Sequence, residues 1–126
     1  GNSDTKNAIV TVEDKIAPVV STKNFTVQLD VLGNATITGN DVDNGSTDVC
    51  NGTLIFAVSP NTFNCSNVGV NNVTLTVTDA SGNAASAAAT VTIVDKTAPI
   101  VLTKNITIQF DASGNASIVA AAVDNG

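Results

Sequence analysis

No histidine, arginine, methionine, tryptophan or tyrosine occurs among the 126 residues, and aromatic residues, all phenylalanine, make up 3% of them. Each absence excludes a chemistry. Without histidine there is no Ser-His-Asp or Cys-His nucleophile system and no imidazole metal site. Without arginine there is no planar fork to grip a phosphate or carboxylate with two hydrogen bonds. Five lysines stand against eleven acids, a net charge of −6, which opposes contact with a nucleic acid backbone. Long apolar runs are missing too. The weakly polar stretch from Ala84 to Val94 is broken by Ser86, Thr90 and Thr92, far short of the roughly 20 apolar residues that a membrane-spanning helix needs. Residues 1–14 lack the charged-then-apolar pattern of a signal peptide. The composition therefore argues against an enzyme, a nucleic-acid partner and membrane insertion.

Cysteine is scarce as well. Cys50 and Cys65 are the only two, in no CxxC pattern, which argues against zinc. A disulfide closing their loop of roughly 15 residues is the expectation from a secreted-looking composition, and would stabilise by about 3 kcal/mol on the chain-entropy view.

What is abundant is Thr, Val, Asn and Ala, and the chain repeats itself. Asp14-Lys15-Ile16-Ala17-Pro18 returns as Asp95-Lys96-Thr97-Ala98-Pro99, and Thr22 to Asp30 returns as Thr103 to Asp111, both at an offset of 81. The same register relates Gly1-Asn2 to Gly82-Asn83 and Val42 to Gly45 with Val123 to Gly126, with 24 identities in 45 overlapping positions. Residues 1–14 thus read as the last strand of a preceding repeat, 15–95 as a complete repeat and 96–126 as the first strands of the next, a window on a tandem array. Proline in each Asp-Lys-X-Ala-Pro junction fixes its own φ and holds its predecessor extended, giving a short, stiff linker.

Within a repeat the apolar period is 2. Phe25, Val27 and Leu29; Leu54, Phe56 and Val58; Val73, Leu75 and Val77; and Val91 with Ile93 each alternate with polar or small residues. Turn signals separate them at Leu32-Gly33-Asn34, Asp43-Asn44-Gly45, Asn51-Gly52, Ser59-Pro60-Asn61 and Ala80-Ser81-Gly82-Asn83. No helical stretch is expected. The pattern predicts an all-β chain of immunoglobulin-like β-sandwich repeats, with roughly seven strands in each. Residues 59–71 leave their strand order open.

Val77-Thr78-Asp79-Ala80-Ser81-Gly82-Asn83, a Thr/Val strand, and Asp95-Lys96-Thr97-Ala98-Pro99 together resemble the hyalin-repeat type of immunoglobulin-like module. With Asp43 to Cys50 and Phe63-Asn64-Cys65 added, the whole chain resembles the repeat arrays of Bacteroidetes cell-surface adhesins, including gliding-motility adhesins of the SprB type. The resemblance implies export to the bacterial cell surface by the type IX route and a role as an extended filament, stalk or spacer. Partners would be neighbouring repeats of the same chain and other copies in a filament. One departure is that Ala122 stands in the second copy where the first has Asp41, so Asp41 cannot serve something that every repeat does.

Chain direction adds an argument independent of family. In a linear array the first strand (about 23–30) leaves the amino-terminal pole and the second (about 34–39) returns to it. The loop 40–52, with Asp41, Asp43 and Asp48, then lies at that pole. The last strand (about 84–94) must run away from it, which places the turn with Asp79 there too, beside Asp14 of the junction. Crowded carboxylates repel, and a hard divalent cation resolves this: Ca²⁺ takes six to eight oxygens from carboxylates, carbonyls and Asn side chains. Asp14, Asp41, Asp43, Asp48 and Asp79 are therefore candidate calcium ligands that would stiffen the junction. The competing reading makes them solvated loop acids, with Asp as a turn former. Asp30 falls at the far pole near Asp95.

Two further features carry less. Eight Asn-X-Ser/Thr sequons, at Asn24, Asn34, Asn44, Asn51, Asn64, Asn72, Asn105 and Asn115, follow from abundant Asn and Thr and read as unused in a bacterial product. Lys23 and Lys104 share the inward parity of their strands and read as snorkelling toward a carboxylate. The alternative function is a polysaccharide-binding or spacer module of a secreted multidomain protein. Four phenylalanines, at least three on core-facing parity, offer such a surface polysaccharide little aromatic platform.

Overall fold

The computed structural model describes residues 1–50 and 52–126. The turn and sequon expected at Asn51 lie outside the described residues. The chain is β-rich and divides into two compact units, 1–96 and 97–126.

In the first unit, strands β1 (Phe25–Gln28), β2 (Asn34–Thr36), β3 (Ile55–Ser59), β4 (Thr62–Asn64), β5 (Gly69–Thr78) and β6 (Ala84–Val94) follow one another. The single helical turn α1 (Gly39–Val42) lies between β2 and β3, and a 3₁₀ turn (Cys65–Asn67) lies between β4 and β5. Four strands form one sheet in the order β1-β6-β5-β3, and β2 pairs with β4 in a second. The pairing is antiparallel except between β1 and β6, which run parallel with Phe25 opposite Val91 and Val27 opposite Ile93.

The long β5–β6 hairpin shows why these residues make strands. Inward residues alternate along β5 as Val73, Leu75 and Val77, all buried, and each large side chain faces a small one on β6: Ala89, Ala87 and Ala85. Lower down the sizes reverse, with Val91 and Ile93 opposite Asn71 and Gly69. Large beside small lets neighbouring side chains pack closely on the sheet's inner face. One core draws on both sheets: Ala35 of β2 and Phe63 of β4 join the inward residues of β5 and β6, with Leu29, Ile37 and Val42 closing the gaps.

Two expectations are corrected here. The second strand stops at Thr36 rather than near 39, and a helical turn replaces its end. Thr38 explains this: its backbone N–H (2.7 Å) and hydroxyl (2.9 Å) both donate to Asp41 Oδ2, closing the start of α1 with the reciprocal bonding of a capping box. The absence of helix is also overturned in the second unit, where α2 (Ala120–Val123) repeats the turn. The illegible segment 59–71 holds β4, the 3₁₀ turn and the start of β5, and its Ser59–Pro60 bond is cis.

The second unit repeats the first locally but not in its strands. The bridge Thr103–Asp124 matches Thr22–Asp43, and Lys104 N–H donates to the Val123 carbonyl as Lys23 N–H does to Val42. Asp111 accepts from the N–H groups of Ser113 and Asn115 as Asp30 does from Leu32 and Asn34. Yet residues 106–109 form no strand, whereas 25–28 do. Turns need only their own residues, but a strand needs a partner, and the partner of β1 is β6. Residues 1–14 likewise form no strand.

Candidate functional site

A short pattern, Asp-X-X-Gly-Asn, builds the turn on which the site rests. It occurs at 30–34, 79–83 and 111–115. In each, Asp Oδ1 accepts from the backbone N–H groups two and four residues ahead. The Gly N–H donates to the Asp carbonyl, and the Gly takes φ between 78° and 89°, a left-handed conformation that favours glycine. This is a type I turn closed by a glycine bulge.

At 79–83 the turn does more. Asp79 is the one buried charged residue among those described. Asn83 Nδ2 donates to Asp79 Oδ2 (2.8 Å) and to the backbone carbonyl of Asp14 (3.1 Å). One amide thus fastens the segment before the Pro18 linker to the β5–β6 turn. Burial pushes the Asp79 carboxyl up, but the Asn83 side chain and the N–H groups of Asn83, Ser81 and Gly82 outweigh it, leaving the group below the usual carboxylate range.

Beside this clamp, side-chain atoms of Asp14, Asp48 and Cys50 all lie within 4.8 Å of one another. Asp48 Oδ2 accepts from the Cys50 N–H (3.0 Å), while Asp48 Oδ1 is buried with no hydrogen-bond partner among the described residues. The Cys50 thiol is pushed up, first by its hydrogen bond to Asp14, then by burial, then by the charges of Asp14, Asp48 and Asp79. Glu13, Asp14, Lys15, Ser81 and Asn83 line an open cleft alongside. The nearby Lys15–Glu13 pair (2.9 Å) is exposed and contributes little.

The five acids expected at this pole thus separate. Asp14, Asp48 and Asp79 come together. Asp41 and Asp43 do not join the group and bond locally instead. Asp41 caps α1 through Thr38, and Asp43 accepts from the Gly45 and Ser46 N–H groups and the Ser46 hydroxyl. Burial raises the Asp43 carboxyl, and the Ser46 hydroxyl, those N–H groups and the Lys23 charge bring it below the usual range. Lys23 is exposed rather than inward-facing, and it acts on Asp43 through its charge. Asp30 serves its own turn, with the Leu29 N–H on the Val94 carbonyl (2.9 Å) placing it by the end of β6.

The disulfide is a correction: Cys50 and Cys65 are both free. Cys50 is engaged by Asp14 and Asp48, and Cys65 lies in contact with the Gly33 turn, its thiol 3.7 Å from the Gly33 carbonyl. Reading residue by residue also missed Asn83, which appeared only as a turn former, and Cys50, whose acidic neighbours come from distant parts of the chain.

As a cation site, the group offers hard carboxylate oxygens and one orphaned oxygen. The protonated thiol is a poor calcium ligand, so the fitting donors are Asp14, Asp48 and neighbouring carbonyls, with Asp79 held at the rim by its turn. In the first unit Phe63 is buried, and Phe25 and Phe56 pack against the core. No helix among the described residues is long and apolar enough to cross a membrane. The chain matches no protein-family model and no curated protein.

Proposed function

We propose that the chain is a structural, adhesive segment of an extracellular stalk or filament: immunoglobulin-like β-sandwich modules repeated every 81 residues and joined by stiff junctions. The observation that carries the reading is the anchored junction. Asn83 ties Asp14 to the Asp79 turn, so the entering chain is fixed to the module body four residues before Pro18. A motif that starts each copy with Asp-Lys-X-Ala-Pro and is fastened in this way sets the direction of the next module.

Calcium is the second part of the proposal. Asp14 and Asp48 would hold it with nearby carbonyls, and the buried Asp48 Oδ1, without a hydrogen-bond partner among the described residues, supports that placement. The ion would supply charge neutralisation and rigidity, with no chemical step. Its test is thermal unfolding of the 126-residue chain with millimolar CaCl₂ and with EDTA. Calcium raises the midpoint by several degrees, and Asp48→Asn removes the difference. If the two curves coincide, the metal part is wrong, and stiffness comes from proline and the Asn83 clamp alone. A surface location on a bacterium follows from the resemblance and belongs to the same proposal.

A further inference from the structure

The loop that follows α1 holds an asparagine in a reactive setting. Asn44 is followed by Gly45, and among the described residues of the first unit no other asparagine precedes a glycine. Asparagine is thermolabile, because the next backbone nitrogen can attack its side-chain carbonyl, and a glycine there leaves that nitrogen unshielded. Both residues are exposed, and nothing lies within 4 Å of the place a Gly45 Cβ would take.

The neighbouring groups supply the rest. Asp43 Oδ2 accepts from the Gly45 N–H (3.0 Å), so a carboxylate already rests on the proton that must leave. Its partner oxygen is held by the Ser46 N–H and hydroxyl. That carboxyl lies below the usual range and is ionised at neutral pH. On the other side, Asn44 Nδ2 donates to Ser21 Oγ (3.4 Å). Base, electrophile and nucleophile are successive residues of one turn.

We propose that Asp43-Asn44-Gly45 is a self-modifying site, at which Asn44 loses its amide to give aspartate and isoaspartate. Asp43 takes the Gly45 N–H proton, and a bond forms from that nitrogen to Asn44 Cγ. The proton passes on to the amide nitrogen, its bond to Cγ breaks, and ammonia departs. Water then opens the cyclic imide at either carbonyl. One opening restores the backbone with an aspartate side chain. The other routes the backbone through the former side chain and adds a methylene to it. Water is the only co-reactant.

The consequence falls on the junction. The Asn44 N–H donates to the Ser21 carbonyl (2.9 Å), the Ser21 N–H donates to Ser46 Oγ (3.0 Å), and Val19 and Thr47 exchange backbone hydrogen bonds. These bonds hold residues 19–22, next after Pro18, against 43–47. A lengthened backbone at 44, with a second carboxylate beside Asp43, breaks that register. The entry to the module therefore loosens irreversibly with age, with or without calcium.

Incubation of the folded 126-residue chain at pH 8, then digestion under mildly acidic conditions and peptide mass analysis, tests this. Asn44 is expected to convert, with isoaspartate among the products. Hydrogen exchange at Val19 and Thr47 rises in the aged chain, while the β5–β6 amides keep their protection. Asp43→Asn is the sharper arm. It frees the turn, so a rate set by flexibility alone would increase, whereas loss of the base slows conversion several-fold. Ser46→Ala loosens the same turn but leaves the base in place, and does not slow it. An Asn44 that keeps its amide while Asn51 or Asn125, also followed by glycine, converts overturns the proposal. So does an Asp43→Asn chain that converts as fast as wild type, a Ser46→Ala chain slowed as much as Asp43→Asn, or conversion that leaves exchange at Val19 and Thr47 unchanged.

Discussion

Cys50 shows how a residue's neighbours decide its chemistry. It is exposed, as Cys65 is, and exposure alone would make the two thiols equally reactive. The Asp14 carboxylate that accepts its hydrogen bond, and the surrounding acids, favour the protonated form, and the thiolate is the nucleophile. Alkylation by iodoacetamide at pH 8, followed by peptide mass analysis, is expected to label Cys65 several-fold faster than Cys50. Asp14→Asn removes the acceptor charge and narrows the gap. Equal rates in the wild-type chain would mean that the acids are too well solvated to act on the thiol. Such discrimination could not be read from Cys50 and Cys65 as letters. Their spacing suits a disulfide, while the groups that hold them apart, Asp14 and the Gly33 turn, are supplied by distant segments.

The elements divide by how local their causes are. The alternation in Val73-Leu75-Val77 and in Val91-Ile93 marks β5 and β6, and the expected 84–94 span of the last strand is the observed one. The Asp-X-X-Gly-Asn turns are equally local, which is why 111–115 forms as 30–34 does. Legibility failed at α1, where polar Thr38 and Asp41 looked like a strand end and a metal ligand but act together as a cap. It failed also at 59–71, where β4 is three residues long and pairs with the equally short β2. Gly39 gives α1 a further constraint: a Cβ there would meet the Phe56 carbonyl carbon and Cβ at 2.7 Å. Gly39→Ala is therefore expected to cost about 1–3 kcal/mol, read from urea unfolding of the first unit. The second copy carries Ala120 at this position, so whatever covers α2 must stand farther off than Phe56 does from α1. An unchanged midpoint for Gly39→Ala would show that α1 shifts freely on β3.

At the scale of the molecule, the missing histidine returns as a prediction about pH. Apart from the chain terminus, nothing with an ordinary pKa titrates between about pH 5 and pH 8 in this composition, so the thermal midpoint is expected to be flat across that range. The carboxylates govern the acid side. Asp43 and Asp79 both sit below the usual range when folded, so the folded state binds protons less readily than the unfolded one. Their contribution is present in full above the unfolded carboxylate value of about 4 and is lost as pH falls through the lower folded values. A plot of unfolding midpoint against pH should therefore hold level and then drop below about pH 4. Asp79→Asn lowers the plateau and shallows the drop, because the amide keeps the turn's shape but no longer offers a carboxylate to the Asn83 clamp. Asp43→Asn acts in the same direction and more weakly, since its turn is partly exposed to solvent. A midpoint that rises on acidification would reverse the argument. It would mean that repulsion among Asp14, Asp48 and Asp79 outweighs the hydrogen bonds that hold Asp79 and Asp43, and that the junction is loaded against itself at neutral pH until a cation binds.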